Sequence, residues 1–389
     1  MRTYEKTHPW IKFGFDLHEA EPRLWLLLGE AASKCEHIAG VPLRPSTAQM
    51  LHRLYLAKGA LATTAIEGNT LSESEVLQHL DGTLKLPPSK EYLGQEIDNI
   101  VAACNLIANR LKGGDDALTF DRILEFNKMV LEKLALEDGV VPGEIRRHSV
   151  VVGSVYRGAP PEDCLFLTER LTEWLSGPDF HPRAGFEIAS AILKAVVAHV
   201  YLAWIHPFGD GNGRTARLAE LQILLAAGVP TPAAHLLSNH YNQTRSEYYR
   251  QLDLASKSGG DILPFLDYAV QGLVDGLREQ VEMILVQVWD VTWRNFVHEH
   301  FKDKTSNTES RQKHLALDLS TNVKAVPASK IPDLTPRLAR AYANKTTKTV
   351  QRDIGVLEKM DLVERTHEGI RAKREMILSF LPWKKQNRA

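Results

Sequence analysis

Residues 191–205 read AILKAVVAHVYLAWI, apolar on nearly every side at helical spacing. A helix without a polar face cannot lie on a surface, so other elements must enclose it. With its lead-in the stretch predicts a buried helix over Phe186–Ile205. That helix ends directly in His206-Pro207-Phe208-Gly209-Asp210-Gly211-Asn212-Gly213-Arg214-Thr215-Ala216-Arg217. From Arg214 to Ala227 the pattern is helical again, with Leu218, Leu221 and Leu224 apolar. The order is helix, loop, helix, and the loop glycines fall at the second helix's N-terminus. Unpaired N–H groups and the helix dipole there favour an anion.

The residue types in the loop suit polyphosphate chemistry. His206 is a base for neutral pH, able to take the proton of a protein Ser, Thr or Tyr hydroxyl. Asp210 offers a hard oxygen ligand for Mg²⁺. Gly211, Asn212 and Gly213 let the backbone approach phosphates and supply amide donors. Arg214 and Arg217, about one turn apart, present two guanidiniums to phosphate oxygens. Phe208 is expected to point the other way, as an apolar peg in the core.

Upstream, Ser46–Leu61 predicts an amphipathic helix running into Thr63-Thr64-Ala65-Ile66-Glu67-Gly68-Asn69, where Gly68-Asn69 is a stop signal. Ser72 and Glu75 have capping-box spacing at the start of another helix. Tyr92–Leu111 and Thr119–Leu134 predict two more helices. Ser149–Tyr156 is β-branched around Gly153-Ser154 and predicts a short hairpin. A lone hairpin is marginal by itself, so it is expected to lie on the helical surface.

The length of 389 residues allows two or three domains. The divisions expected are 1–112, a helical N-terminal region; 113–290, the catalytic domain; and 291–389, a linker helix and terminal module. A net charge of -1 rules out a polycation spread over the whole molecule. Three scattered cysteines, Cys35, Cys104 and Cys164, make neither a disulfide framework nor a zinc pair. The N-terminal stretch lacks a signal-peptide pattern, and no uninterrupted apolar run reaches about 20 residues. The expectation is a cytoplasmic protein without a membrane segment.

His206–Arg217 resembles the signature of the Fic (filamentation-induced-by-cyclic-AMP) family at every defining position. The resemblance implies a mainly α fold: a Fic-type helical core with a short β-hairpin flap, here followed by a C-terminal winged helix-turn-helix. It also implies AMP transfer from ATP to a hydroxyl of a target protein or of the enzyme itself, releasing diphosphate. Relatives of the Doc branch carry Lys where this chain has Gly213 and phosphorylate, so Gly213 favours nucleotidylyl transfer. Thr63-x-x-x-Glu67-Gly68 resembles the family's inhibitory motif, in which Glu67 would pair with Arg217 and exclude the γ-phosphate. The hairpin at 150–156 resembles the flap that aligns a target segment by strand addition, and Gly143-Glu144-Ile145-Arg146 resembles its lead-in. The family also removes AMP from modified proteins, with Glu67 then orienting water, and the residues do not separate the two directions.

After Phe301 the polar run KDKTSNTES reads as a linker. Helices at Thr335–Ala343 and Thr347–Lys359 and strands at Leu362–Thr366 and Glu375–Phe380 predict a winged helix-turn-helix, with Thr347–Lys359 as recognition helix. From Lys330 onward there are fourteen Lys and Arg against seven Asp and Glu. Lys345, Lys348 and Arg352 make DNA a candidate partner, against which stand Asp353, Glu358 and Asp361. Such modules also join proteins, so a homodimer is a second candidate. A DNA-binding regulator with a nucleotide-sensing domain is the non-enzymatic alternative.

Overall fold

The computed structural model describes residues 2–152, 156–322 and 324–378. The chain divides into two compact units, Met1–Val281 and Glu282–Ala389. The first opens with α1 (Thr3–Thr7), α2 (Pro22–Gly40), α3 (Pro45–Ala65), α4 (Glu73–Leu80), α5 (Glu91–Lys112) and α6 (Phe120–Val130). An antiparallel hairpin, β1 (Val151–Val152) and β2 (Tyr156–Arg157), precedes α7 (Pro161–Leu175), α8 (Glu187–Ile205) and α9 (Asn212–Ala226). Next come α10 (Thr231–Ala234), α11 (Leu236–Gln243) and α12 (Arg245–Lys257), and then α13 (Leu263–His300), which continues past residue 281.

The apolar helix is the centre of the first unit. Ile192, Val196, Val197, Val200 and Ile205 of α8 are fully buried, and α2, α7 and α9 pack around it. By length and composition α8 could cross a membrane. Here protein encloses it, the other way to bury a helix with no polar face.

Its partner α9 is buried for a different reason. Arg214, Thr215, Arg217, Glu220 and Gln222 are all buried beside Leu218, Leu221 and Leu224. Burying polar and charged groups costs several kcal/mol each unless they are paired. Several receive partners from elsewhere in the unit. Tyr241 Oη donates to Glu220 at 2.9 Å, and Gln222 Nε2 donates to the Ala117 carbonyl at 2.9 Å.

Helix ends account for most differences from the sequence expectations. α3 runs beyond Leu61 to Ala65, with the Thr64 hydroxyl bonded back to the Ala60 carbonyl, and its turn closes at Gly68. The Ser72–Glu75 capping box is present. α6 stops at Val130 instead of Leu134, because Lys133 takes a left-handed conformation. The expected Gly153-Ser154 turn of the hairpin lies outside the described residues.

The second unit adds α14 (Asn307–Leu319), α15 (Pro336–Tyr342), α16 (Thr347–Lys359) and an antiparallel hairpin, β3 (Val363–Arg365) and β4 (Ile370–Ala372). Trp293, Val297, Leu315, Leu338, Ile354, Leu357 and Ile370 are in its core. Two expectations are corrected here. The polar run is not wholly linker, because Ser306 and Glu309 form a capping box that starts α14 at Asn307. The second strand is Ile370–Ala372, whereas Arg374–Leu378, where the strand was expected to begin, is a 3₁₀ turn. A tight turn bonding Thr366 to Gly369 sets Arg365 opposite Ile370, so the returning strand must follow at once.

One buried carboxylate ties this unit together. Asp353 of α16 is fully enclosed and accepts from Arg311 Nε at 2.7 Å, Gln312 Nε2 at 2.9 Å and Tyr342 Oη at 3.1 Å. Asp353→Ala leaves the Arg311 cation buried without its counter-ion, a loss of about 3–5 kcal/mol. Urea denaturation of the whole chain should show the transition of the C-terminal unit at clearly lower denaturant, with that of the first unit in place.

Candidate active site

The end of α8 sets the geometry. His206 closes the helix in a left-handed conformation, φ +51°, its N–H still bonded to the Leu202 carbonyl at 2.9 Å. A non-glycine residue adopts that conformation only under outside constraint. Arg146 supplies it: Nε donates to the His206 carbonyl at 2.7 Å, and the Arg146 backbone N–H donates to the Pro207 carbonyl at 3.0 Å. The same guanidinium also donates to the His148 and Ala159 carbonyls. One buried cation therefore fixes the hairpin's flanks and the histidine backbone together.

Burial drives the His206 imidazole down to about 4, with the Arg146 charge acting in the same direction. The ring is thus neutral near pH 7. Its Nδ1 lies 3.4 Å from the Ala203 carbonyl, and donating there leaves the Nε2 lone pair available.

The loop that follows folds on itself. Phe208 is buried as the expected peg. The Asn212 side chain accepts from the Phe208 N–H and donates to the Phe208 carbonyl, both at 2.9 Å. Asn127 donates to the Asp210 carbonyl at 2.8 Å and accepts from the Gly143 N–H at 3.0 Å. Gly211, φ +76°, caps α9 without a side-chain bond, so the first-turn N–H groups face the loop. The Asp210 side chain is 52% exposed, its Oδ1 accepting from the Gly211 N–H at 2.5 Å.

The two arginines differ. Arg214 is shared between Glu96 Oε1 at 3.3 Å and Asp210 at 3.3–3.4 Å, bonds at the long end of the range. Burial raises the Glu96 carboxyl against the pull of Asn69 and Arg214. Arg217 is 2% exposed, and its Nη2 donates to Glu67 Oε1 at 2.5 Å and to the Thr63 carbonyl at 2.9 Å. Burial works against ionisation of Glu67, but Arg217 outweighs it and holds the carboxyl below its usual range. Nε and Nη1 of Arg217 have no hydrogen-bond acceptor. A Cβ on Gly213 would overlap Glu67 Oε1, so any larger residue there would push the Glu67 carboxylate aside.

All the residues singled out in the sequence therefore meet: Glu67 from the turn after α3, His206 and Asp210 from the loop, and Gly211, Asn212, Gly213, Arg214 and Arg217 at the start of α9. Sequence reasoning did not assign Arg146, Asn127 and Glu96 to the site. Arg146 lay in the noted lead-in to the hairpin. Asn127 and Glu96 sit on helices whose pattern shows only an apolar face and carries no signal of their partners. The donor set suits a polyphosphate bound with Mg²⁺. Two guanidinium nitrogens of Arg217 lack an acceptor, and the exposed Asp210 carboxylate precedes the N-terminus of α9. Among the described residues no cluster of three or more His, Cys, Asp or Glu could cage a metal alone. Mg²⁺ characteristically takes one or two carboxylates plus phosphates and water.

Residues 117–224, which include this loop, match the Fic/DOC family. The chain is 31% identical over 210 residues to protein adenylyltransferase fic-1 of Caenorhabditis elegans. It is 32% identical over 209 residues to protein adenylyltransferase Fic of Aedes aegypti. These matches cover 54% and 53% of this chain but only 38% of each relative, so the chain spans well under half the length of either. Among solved structures, a Fic family protein from Desulfovibrio desulfuricans G20 has a TM-score of 0.55 at 20% identity, covering 90% of this chain and 92% of that one. A C. elegans Fic-1 structure has a TM-score of 0.54 at 23% identity, covering 68% and 73%. The fold is thus mainly helical and Fic-like, with small two-stranded hairpins.

The His206 environment has a direct consequence. As pH falls, the unfolded chain binds its proton near 6.5 while folded His206 waits until about 4. His206 therefore contributes no destabilisation above that window and costs stability as pH falls through it. An NMR titration should place the His206 ring midpoint near 4; a midpoint close to 6.5 would contradict the buried geometry.

Proposed function

We propose that the protein is an adenylyltransferase that moves AMP from ATP to a Ser, Thr or Tyr hydroxyl of a protein, and that Glu67 inhibits it. The observation carrying this reading is the state of Arg217. Its buried guanidinium is bonded to a carboxylate through Nη2, while Nε and Nη1 have no acceptor. A carboxylate and a phosphate compete for such a group on equal chemical terms, each as an oxyanion acceptor. With Glu67 in place the terminal phosphate cannot take its full set of bonds. With Glu67 withdrawn, Arg217, Arg214 and the first turn of α9 can hold the β- and γ-phosphates.

The reaction then balances simply. The target hydroxyl oxygen forms a bond to the α-phosphorus, the bond from that phosphorus to the bridging oxygen breaks, and diphosphate leaves. His206 Nε2 takes the hydroxyl proton. Arg146 keeps that ring in place by fixing its backbone, and Asn127 and Asn212 hold the loop closed. Mg²⁺, when bound at Asp210, would neutralise phosphate charge. Val151 of the hairpin is 52% exposed, which suits main-chain pairing of the target's extended segment.

Glu67→Gly should raise incorporation of label from α-labelled ATP into protein, by at least about tenfold if the carboxylate excludes the productive pose. Incorporation no higher than wild type would sink the inhibitory role. His206→Ala in the Glu67→Gly background should abolish transfer while ATP binding, followed calorimetrically, stays near its parent value. Label retained only from γ-labelled ATP would mean phosphorylation. Release of AMP from a modified protein, dependent on Glu67, would assign the opposite direction.

A second reading concerns the C-terminal unit. The acids near its basic residues are turned inward or paired: Asp353 to Arg311, Glu358 to Arg365 at 2.9 Å and Asp361 to Lys373 at 2.7 Å. Lys345, Lys348 and Arg352 are exposed, a pattern that favours contact with DNA phosphates. A gel shift on genomic fragments tests this: a specific, salt-sensitive band should weaken with Lys348→Ala and Arg352→Ala. No such band removes the reading.

A further inference from the structure

Within the second unit a cavity of about 350 Å³ gathers six basic side chains: Arg294, His298, Lys304, Lys313, His314 and Arg337. They come from the end of α13, the loop before α14, α14 itself and the start of α15. Among the described residues the only acid lining it is Asp318. Such crowding brings like charges together, and no core packing requires it.

The charges are not equally engaged. Arg294 is paired with Asp290 at 2.8 Å, and Arg337 is paired with Asp318. Lys304 and Lys313 have no carboxylate within ion-pair distance among the described residues. Both histidines feel the surplus. Burial, then Lys313 and Arg294, lowers His298, while burial, then Arg337, lowers His314 against the opposing pull of Asp318. The cavity therefore presents two lysines outside any ion pair and two imidazoles biased toward the neutral form. Leu317 adds an apolar wall.

We propose that this cavity binds a small phosphate monoester in its dianionic form. Two ammonium groups outside any ion pair, Lys313 and Lys304 with its Nζ 5.1 Å over the Phe301 ring, match a charge of about −2, which a phosphate monoester carries near pH 7. The arginine forks and imidazole N–H groups add directional donors. The volume lies at the lower end of small-molecule sites, about 300–1,000 Å³, which suits a phosphate on a sugar or nucleoside. α16 contributes nothing to the lining, so the site is separate from the face considered for DNA. The inference uses only the second unit and does not depend on the activity proposed for the first.

The test uses the whole chain with isotope-labelled histidine, the His298 and His314 ring signals assigned by single substitution. Inorganic phosphate, AMP and adenosine are titrated in turn at physiological salt. AMP should move both signals saturably, with half-saturation at or below about 1 mM, and raise both midpoints because an anion favours the charged ring. Adenosine should move neither. Lys313→Glu should weaken the response at least about tenfold, and Lys304→Glu, on the exposed loop, should do the same if the first variant fails to fold. Inorganic phosphate binding as well as AMP would assign the site to free phosphate rather than an ester. Non-saturating shifts, equal shifts with adenosine, or a response retained in both folded Lys variants would overturn the proposal. So would shifts produced by a short DNA duplex but not by AMP.

Discussion

The Arg217 guanidinium is removed almost wholly from water, and much of the first unit is arranged to make that tolerable. An isolated buried cation costs several kcal/mol unless it is paired and bonded. The answer here is a carboxylate carried on a different segment, Glu67, together with the Thr63 carbonyl that precedes it by one turn. This pairing brings the Glu67 carboxylate so close to α9 that a Cβ at position 213 would displace it. It also leaves two guanidinium nitrogens without an acceptor. The pair is therefore complete enough to fold and incomplete enough to accept something else.

The same economy recurs along the loop. Arg146 holds the backbone of His206 in an unfavourable conformation while binding three other carbonyls, so distortion at the histidine is offset by bonds spread over the hairpin's flanks. Asn127 and Asn212 close the remaining loop bonds. The imidazole is kept neutral by burial and by that same arginine. The buried cation that fixes the histidine backbone thus also adds to the effect of burial on its ring.

The second unit uses a related device with a different outcome. Asp353 is buried with three donors and is satisfied, which makes it a structural anchor. Counting charges along α16 treats Asp353 as a neighbour that weakens the basic patch, yet the carboxylate points inward. Register misleads in the same way at the hairpin. The sequence suggested a strand beginning at Glu375, but the turn at Gly369 brings the chain back at Ile370, before the β-rich pattern suggests.

By itself the sequence determined the helix–loop–helix at 187–226, the enclosure of α8, the capping box at Ser72 and the residue types of the loop. These are local matters, governed by periodicity, caps and the chemistry of adjacent side chains. Glu67 was legible only through its resemblance to a motif, and Arg146, Asn127 and Glu96 were not assigned at all. Their partners lie far along the chain: 60 residues separate Arg146 from His206, and 118 separate Glu96 from Arg214. Whether a polar residue on an amphipathic helix faces water or another helix is decided by what packs against it. α9 shows the limit most clearly, since its sequence pattern marks Leu218, Leu221 and Leu224 as the apolar face while Arg217, Glu220 and Gln222 are buried as well. Only the tertiary structure could turn those polar residues into a site, because the counter-ions that make their burial affordable come from other helices.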